Sequence, residues 1–247
     1  MPPPVYIHEF IDIIGHNRGR YMHHMTANWC PVARAERNQL CLGVWATLGS
    51  TGRWPEVVNM WELDGWDGLA ANFAHETGGG KDQDPALAEW WATAASLRRG
   101  GVDRIVVPEP WTRPVTQLIE DGVRGELYAH ELVTVPVGTV GDYLDALDRE
   151  GRPAVENLGL EAIGAYRVAM VNDSEAIVLW AIPDWATWTR FEQAWSSPSG
   201  ELDAWRKTTL GLQADWRRIL LIDSPLSPLR IGRQPEESDR LPLDQIR

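Results

Sequence analysis

Hydrophobic and polar positions along this chain fall into a pattern that is written twice. VYIHEF (residues 5–10) and LYAHEL (127–132) each open a run of β-branched and aromatic residues, and predict strands over 4–14 and 126–136. A helical period follows each, over 17–28 and 138–150. In the second, Val140, Tyr143, Leu144 and Leu147 recur at helical spacing and a glycine stops the run. Hairpins are expected next, 42–49 with 56–63 and 163–171 with 175–182, the second closed by the turn-forming NDSE. Further helices are predicted over 66–75 and 184–196, the latter with Asp184 as N-cap. Short helices around 85–99 and 200–212 then lead into last strands, RIVV and RILL, that end in prolines.

That order is βαββαβ twice over. Each unit makes a four-stranded antiparallel sheet with helices on one face, the ferredoxin-like arrangement, and leaves the other sheet face bare. The fold class is therefore α+β: two tandem ferredoxin-like units, 1–120 and 121–230, packed sheet to sheet as a fused α/β barrel. Residues 75–84, HETGGGKDQD, read as a mobile loop, and 231–247 as a polar, loosely ordered tail.

Individual identities support a duplication. Tyr6, His8 and Glu9 fall on Tyr128, His130 and Glu131 at an offset of 122. Gly19, Tyr21 and Pro31 fall on Gly141, Tyr143 and Pro153 at the same offset. Past a longer hairpin loop in the first copy, Trp61 and Trp66 fall on Trp180 and Trp185, and Leu87 and Trp90 on Leu202 and Trp205. Arg104, Ile105 and Pro114 then align with Arg218, Ile219 and Pro228. Ordered identities whose offset drifts only in loops are the mark of an internal repeat, and two copies make a fused pair, not a solenoid.

Charge narrows the function. A formal net charge of −12 gives no basic face for nucleic acid. No apolar run reaches the ~20 residues that span a bilayer, so no membrane partner is expected. MPPPVYIHEF lacks the basic and apolar regions of a signal peptide, and a cytoplasmic protein is expected. Cys30 and Cys41 form neither a disulfide framework nor a CxxC pair and read as buried free thiols. Fourteen tryptophans are the compositional oddity; most would be packing, and some could line a ligand pocket.

The chain resembles the NIPSNAP family within the dimeric α/β-barrel superfamily. The resemblance is carried by LYAHELVTVPVG (127–138), EVVNMWELD (56–64) and LLIDSPLSPL (220–229), in that family's order and over nearly the whole length. Two positions depart from the family: Glu9 and Glu131 stand where it has arginine, and Asn59 and Val178 where it has histidine. The resemblance implies a fold more firmly than a reaction, since relatives include cofactor-free monooxygenases, isomerases, cyclases and haem-binding enzymes.

It also implies that the strand face of Glu9 and Glu131 lines the barrel interior. A carboxylate among aliphatic side chains has a raised pKa and suits acid–base work; the plainer reading is a structural glutamate paired with an arginine such as Arg167. By alternation His8 and His130 then face the helices as buried structural histidines; with the opposite parity they become the site and the glutamates the scaffold. Asn59, Trp61 and Trp180, with Tyr6 and Tyr128, are candidate pocket residues, or core. The extra histidines, Asn59 and the longer loop of the first copy point to one pocket, lined mainly by that copy. His16, His23 and His24 have no metal-ligand spacing, although haem or a metal ion stays open. No nucleotide or nucleophile motif is present. The reading is a cofactor-independent enzyme acting on a hydrophobic or aromatic small molecule inside the barrel. The alternative is a non-catalytic binding or scaffold protein, separated by whether a cavity of ~300 Å³ or more exists. A homodimer of the fused pair is compatible with either.

Overall fold

The computed structural model describes residues 3–77 and 85–246. The first half runs β1 (Val5–Ile13), α1 (Arg18–His23), a π-helical turn (His24–Trp29), α2 (Cys30–Arg37), β2 (Leu40–Thr47), β3 (Glu56–Leu63), α3 (Gly65–Glu76), α4 (Pro85–Leu97) and β4 (Arg98–Pro108). After α5 (Val115–Glu120), the second half repeats the order: β5 (Leu127–Thr134), α6 (Val140–Ala146), a π-helical turn (Leu147–Gly151), α7 (Arg152–Glu156), β6 (Glu161–Ala169), β7 (Glu175–Ile182), α8 (Trp185–Ser196), α9 (Asp203–Gly211) and β8 (Asp215–Asp223). A short α10 (Pro228–Ile231) follows.

The eight strands close into one barrel in the order β1-β3-β2-β8-β5-β7-β6-β4. Each half contributes four adjacent antiparallel strands in the ferredoxin-like order. The two sheets join edge to edge at β2–β8 and β4–β6, which removes free sheet edges. The expected α+β class and its paired βαββαβ units are thus observed.

Helices cover most of the outside, so most strands are buried on both faces, while the Arg98–Asp103 part of β4 stays largely exposed. Inside the barrel, Tyr6, Phe10, Val58, Met60 and Val106 of one half pack with Tyr128, Ile177, Leu179 and Leu221 of the other. Outside it, Ile11, Tyr21, Val57 and Trp61 pack under the first half's helices, and Ala129, Tyr143, Val178 and Trp180 under the second's.

Three expectations are corrected. The first helices do not stop at 28 or at Gly151 but run on to Arg37 and Glu156. Pro31 and Pro153 sit just past a π-helical turn, whose wider hydrogen-bond ring absorbs the missing N–H inside the helical run. The tail is not loose. Gln234 accepts from the Cys41 N–H at 3.0 Å and donates to its carbonyl at 2.8 Å, and the Leu241 N–H donates to His23 Nε2 at 3.0 Å. Its polar residues are consumed as backbone partners, which polarity alone does not reveal. Finally, pairing sets Ile7 against Ile105 and Ala129 against Leu220, so Asp103, not Arg104, is the counterpart of Arg218. The one-residue slip in the sequence alignment turns every side chain of the last strand to the other face. The 75–84 loop expectation falls largely on 78–84, outside the described residues. Cys30 and Cys41 are buried free thiols as expected.

Candidate functional site

Strand parity is the reverse of that expected. His8 and His130 point into the barrel, where their Nε2 atoms meet at 2.9 Å. Both rings are wholly buried, and Phe10 packs against each. Burial holds His8 well below its ordinary pKa, and His130 down to about 3, so the pair is neutral. Tyr6 and Tyr128 share this inner face and donate to Glu62 and, at 3.3 Å, to Asp223. Glu9 and Glu131 point outward, toward the helices. Alternation separated the two faces correctly, but a closed barrel wrapped in helices buries both, so apolar content could not say which was inner.

The inner face of the barrel is occupied by the shared core, and a cavity lies instead on the helix side of the first half. A cavity of about 180 Å³ lies between the sheet and α1–α4. Glu9, Trp61 and Asp103 line it from the strands, Gln39 from the loop before β2, Trp90 and Trp91 from α4. Glu9 Oε2 accepts from Trp61 Nε1 at 2.7 Å and from Asn59 Nδ2 at 2.9 Å; the same amide donates to the Tyr21 hydroxyl at 2.9 Å. Glu9 Oε1 has no hydrogen-bond partner among the described residues. Burial raises the Glu9 pKa, the Asp103 carboxylate raises it further, and the Trp61 and Asn59 hydrogen bonds oppose both.

Register explains the cluster. Glu9 is flanked by Asn59 on β3 and Asp103 on β4, three polar side chains on one rung and one face. The matching rung of the second half is Val178–Glu131–Arg218. There Arg218 Nε donates to Glu131 Oε1 at 2.7 Å, and its guanidinium lies 4.5, 4.7 and 4.8 Å from the rings of Phe191, Trp195 and Trp216. Trp180 Nε1 reaches Glu131 Oε2 at 3.3 Å, as Trp61 reaches Glu9. Glu131 does have an arginine partner, but it is Arg218 and not Arg167, which lines a groove at the barrel end.

Of the sequence candidates, the fold sets Glu9 and Trp61 at one cavity, with Asn59 buried behind them and hydrogen-bonded to Glu9. It places Glu131 and Trp180 at the filled counterpart, and His8, His130, Tyr6 and Tyr128 inside the barrel. Tyr21, Gln39, Asp103, Trp90 and Trp91 were missed as site residues. Asp103 was findable: the correct last-strand register sets it against Arg218, a charge reversal between otherwise matched halves.

A second, outer groove of about 370 Å³ adjoins the cavity, and the Trp29–Trp90 pair, with centroids 4.5 Å apart, borders both. His24 stacks on Trp90 and has both ring nitrogens engaged, by Asn28 and by the Trp90 carbonyl. Haem needs an axial ligand facing room for its macrocycle, and no histidine lines the Glu9 cavity. His23 is held by the tail, and His75 lies at the surface near Glu36. The residues present do not fit a haem at this cavity. Among the described residues, no three His, Cys, Asp or Glu side chains converge as a metal set, and no helix is long and apolar enough to cross a membrane.

Solved structures share the fold. An anthrone oxidase-like protein superposes with a TM-score of 0.58 at 11% identity, over 89% of this chain and 90% of its own. A provisionally assigned monooxygenase from Lactobacillus acidophilus gives 0.57 at 11% identity, over 90% and 94%. Another from Fusobacterium nucleatum gives 0.57 at 10% identity, over 91% and 94%. No family model and no curated protein matches the chain. At such identities the likeness establishes the ferredoxin-like α/β-barrel fold.

Proposed function

We propose that the chain is a small-molecule enzyme that works without a nucleotide cofactor, with its site in the first-half cavity and Glu9 as the proton-moving group. One observation carries this. Glu9 lines the cavity, is held by two donors on Oε2 and keeps Oε1 unbonded, whereas its counterpart Glu131 is neutralised by Arg218. A carboxylate with a raised pKa and a free oxygen can take a proton from a bound substrate and return it. The tryptophans around it offer faces that stack a planar apolar body. Proton abstraction beside an electron-withdrawing group would open isomerisation, cyclisation, lyase or oxygenation chemistry. The folds of an anthrone oxidase-like protein and of provisionally assigned monooxygenases are consistent with an aromatic substrate.

The test is to compare Glu9→Gln with Glu131→Gln in a metabolite turnover screen read by mass spectrometry. Glu9→Gln should lose about 10²- to 10⁴-fold in rate, and Glu131→Gln should keep it. Equal activity in both variants would place the chemistry elsewhere.

A second reading, non-catalytic ligand binding, is favoured by the cavity's size, which is below the ~300 Å³ usual for ligand pockets. We also read the halves, 1–120 and 121–230, as the product of an internal duplication in a NIPSNAP-like cytoplasmic protein. The support is the matched rungs and paired π-helical turns.

A further inference from the structure

Four positions around the strand-one glutamate differ in size and sign between the halves. Strand pairing makes Gly101 and Asp103 the counterparts of Trp216 and Arg218. The Trp66–Trp185 offset makes Asn72 and Glu76 the counterparts of Phe191 and Trp195. In the second half those four side chains are the cation and its aromatic enclosure. In the first half, smaller or acidic residues stand in their place, and Asn72, Glu76 and Asp103 border the cavity. The cavity occupies the region that the arginine and its enclosure fill in the other copy.

What remains in the first half is a surplus of negative charge and of acceptors. Glu9, Asp103 and Glu76 line the cavity against Arg37, whose guanidinium bonds Asn72 Oδ1 at 3.2 Å and lies 4.8 Å from the Trp29 ring. Arg98 lies over Trp91, at 4.8 Å, and its charge lowers the pKa of both Glu9 and Asp103, so three carboxylates stand against two guanidinium groups. Gln39 lines the cavity, is 5% exposed, and its Oε1 has no hydrogen-bond partner. Asn59 Oδ1, beside Glu9, is likewise buried without one. The Asn59 amide is oriented by its donation to Glu9, so this atom is an acceptor. Each of these groups calls for a donor. Trp90 and Trp91 on the α4 side supply π faces, and their indole N–H groups lack partners.

Resting on the Glu9 reading above, we propose that the first-half cavity binds a small aromatic amine in its protonated form, its ammonium seated on the Glu9–Asp103 rung where the second half seats Arg218. An ammonium carries donors and no acceptor, which matches Glu9 Oε1 and Gln39 Oε1 on the cavity wall. Its charge restores the neutrality that Arg218 gives Glu131, and a cation against tryptophan faces is attracted by the ring quadrupole. The cavity's volume suits one ring system with a short arm. An oxygen at the ligand's far end would meet the free indole N–H groups.

The experiment is a binding titration, by calorimetry and tryptophan fluorescence, with three probes of one shape: phenethylammonium, 2-phenylethanol and 3-phenylpropionate. The cation should bind at least tenfold tighter than the alcohol, and the carboxylate not measurably. Asp103→Asn should weaken the cation at least fivefold. Asp103→Arg, which rebuilds the second half's pair, should abolish it, and Glu131→Gln should leave it unchanged. If Asp103→Arg does not fold, Asp103→Asn decides. Equal affinity for cation and alcohol, or preference for the carboxylate, overturns the proposal. If Glu9→Gln still weakens the alcohol in that case, the Glu9 site stands and only its ligand class falls. Absence of binding by all three probes also overturns it, and the turnover comparison of Glu9→Gln with Glu131→Gln then judges the site independently.

Discussion

Glu9 and Asp103 face each other across the β1–β4 pairing, two carboxylates side by side on one rung. The corresponding rung of the second half holds Glu131 and Arg218, a side-chain ion pair 2.7 Å apart. A change of sign on the rung, together with loss of the aromatic enclosure of Phe191, Trp195 and Trp216, separates a closed structural pair from an open acidic cavity.

The open rung costs stability at neutral pH. Glu9 has a folded-state pKa above its ordinary value, from burial and then Asp103. Such a group contributes fully below the unfolded pKa and loses that contribution as pH rises through the folded value. Glu9→Gln removes the penalty. We expect the variant to melt a few degrees above the wild type at pH 8 and level with it near pH 4, by calorimetry, while losing activity. A variant less stable than wild type at pH 8 would contradict an unneutralised Glu9.

The closed rung behaves oppositely. Arg218 and Glu131 have side-chain exposures of 7% and 11%. Arg218→Ala leaves a buried carboxylate without its cation and vacates the enclosure of Phe191, Trp195 and Trp216. We expect a loss of about 3–5 kcal/mol in urea unfolding. The paired replacement Arg218→Met with Glu131→Leu should recover most of it, because it removes both charges and refills the space. Failure of the double variant to recover would mean that the pair itself is needed.

The His8–His130 contact at the barrel centre makes the fold acid-sensitive. Both pKa values are lowered in the folded state, His130 to about 3, chiefly by burial. The unfolded chain therefore binds more protons below its ordinary value of ~6.5, and stability is full above that pH and falls as pH drops toward 3. Between pH 7.5 and 5 His130 should remove about 2 kcal/mol, with His8 adding in the same direction. His8→Leu combined with His130→Leu should flatten that slope in urea titrations at several pH values. An unchanged slope would assign the acid sensitivity to other groups.

Gln234 binds both backbone groups of Cys41, at 3.0 and 2.8 Å. Gln234→Ala strands a buried N–H and carbonyl at the point where the β2–β3 register shifts. We expect a loss of about 1–3 kcal/mol and faster amide exchange at Cys41. Slow exchange at Cys41 in the variant would show that the tail is dispensable there.

The sequence alone determined the element order, because period-2 and helical hydrophobic patterns with turn residues are local properties of the chain. It also determined the match between halves, as far as identities survive, and the candidacy of Glu9, Asn59 and Trp61. Parity was beyond it. His8 and Glu9 lie on opposite faces by alternation, yet a strand in a closed barrel under helices is buried on both, and only closure names the inner one. Asp103 turned on strand register: one residue in the last strand decides whether Arg104 or Asp103 meets Glu9, flanking identities favoured the wrong choice, and only the pairing corrects it. The tail depended on partners distant in sequence, Cys41 and His23. Tertiary structure alone decided that the face of Glu9 and Glu131 is outside the barrel, since that depends on where the two sheets meet and which side chains fill the space between them.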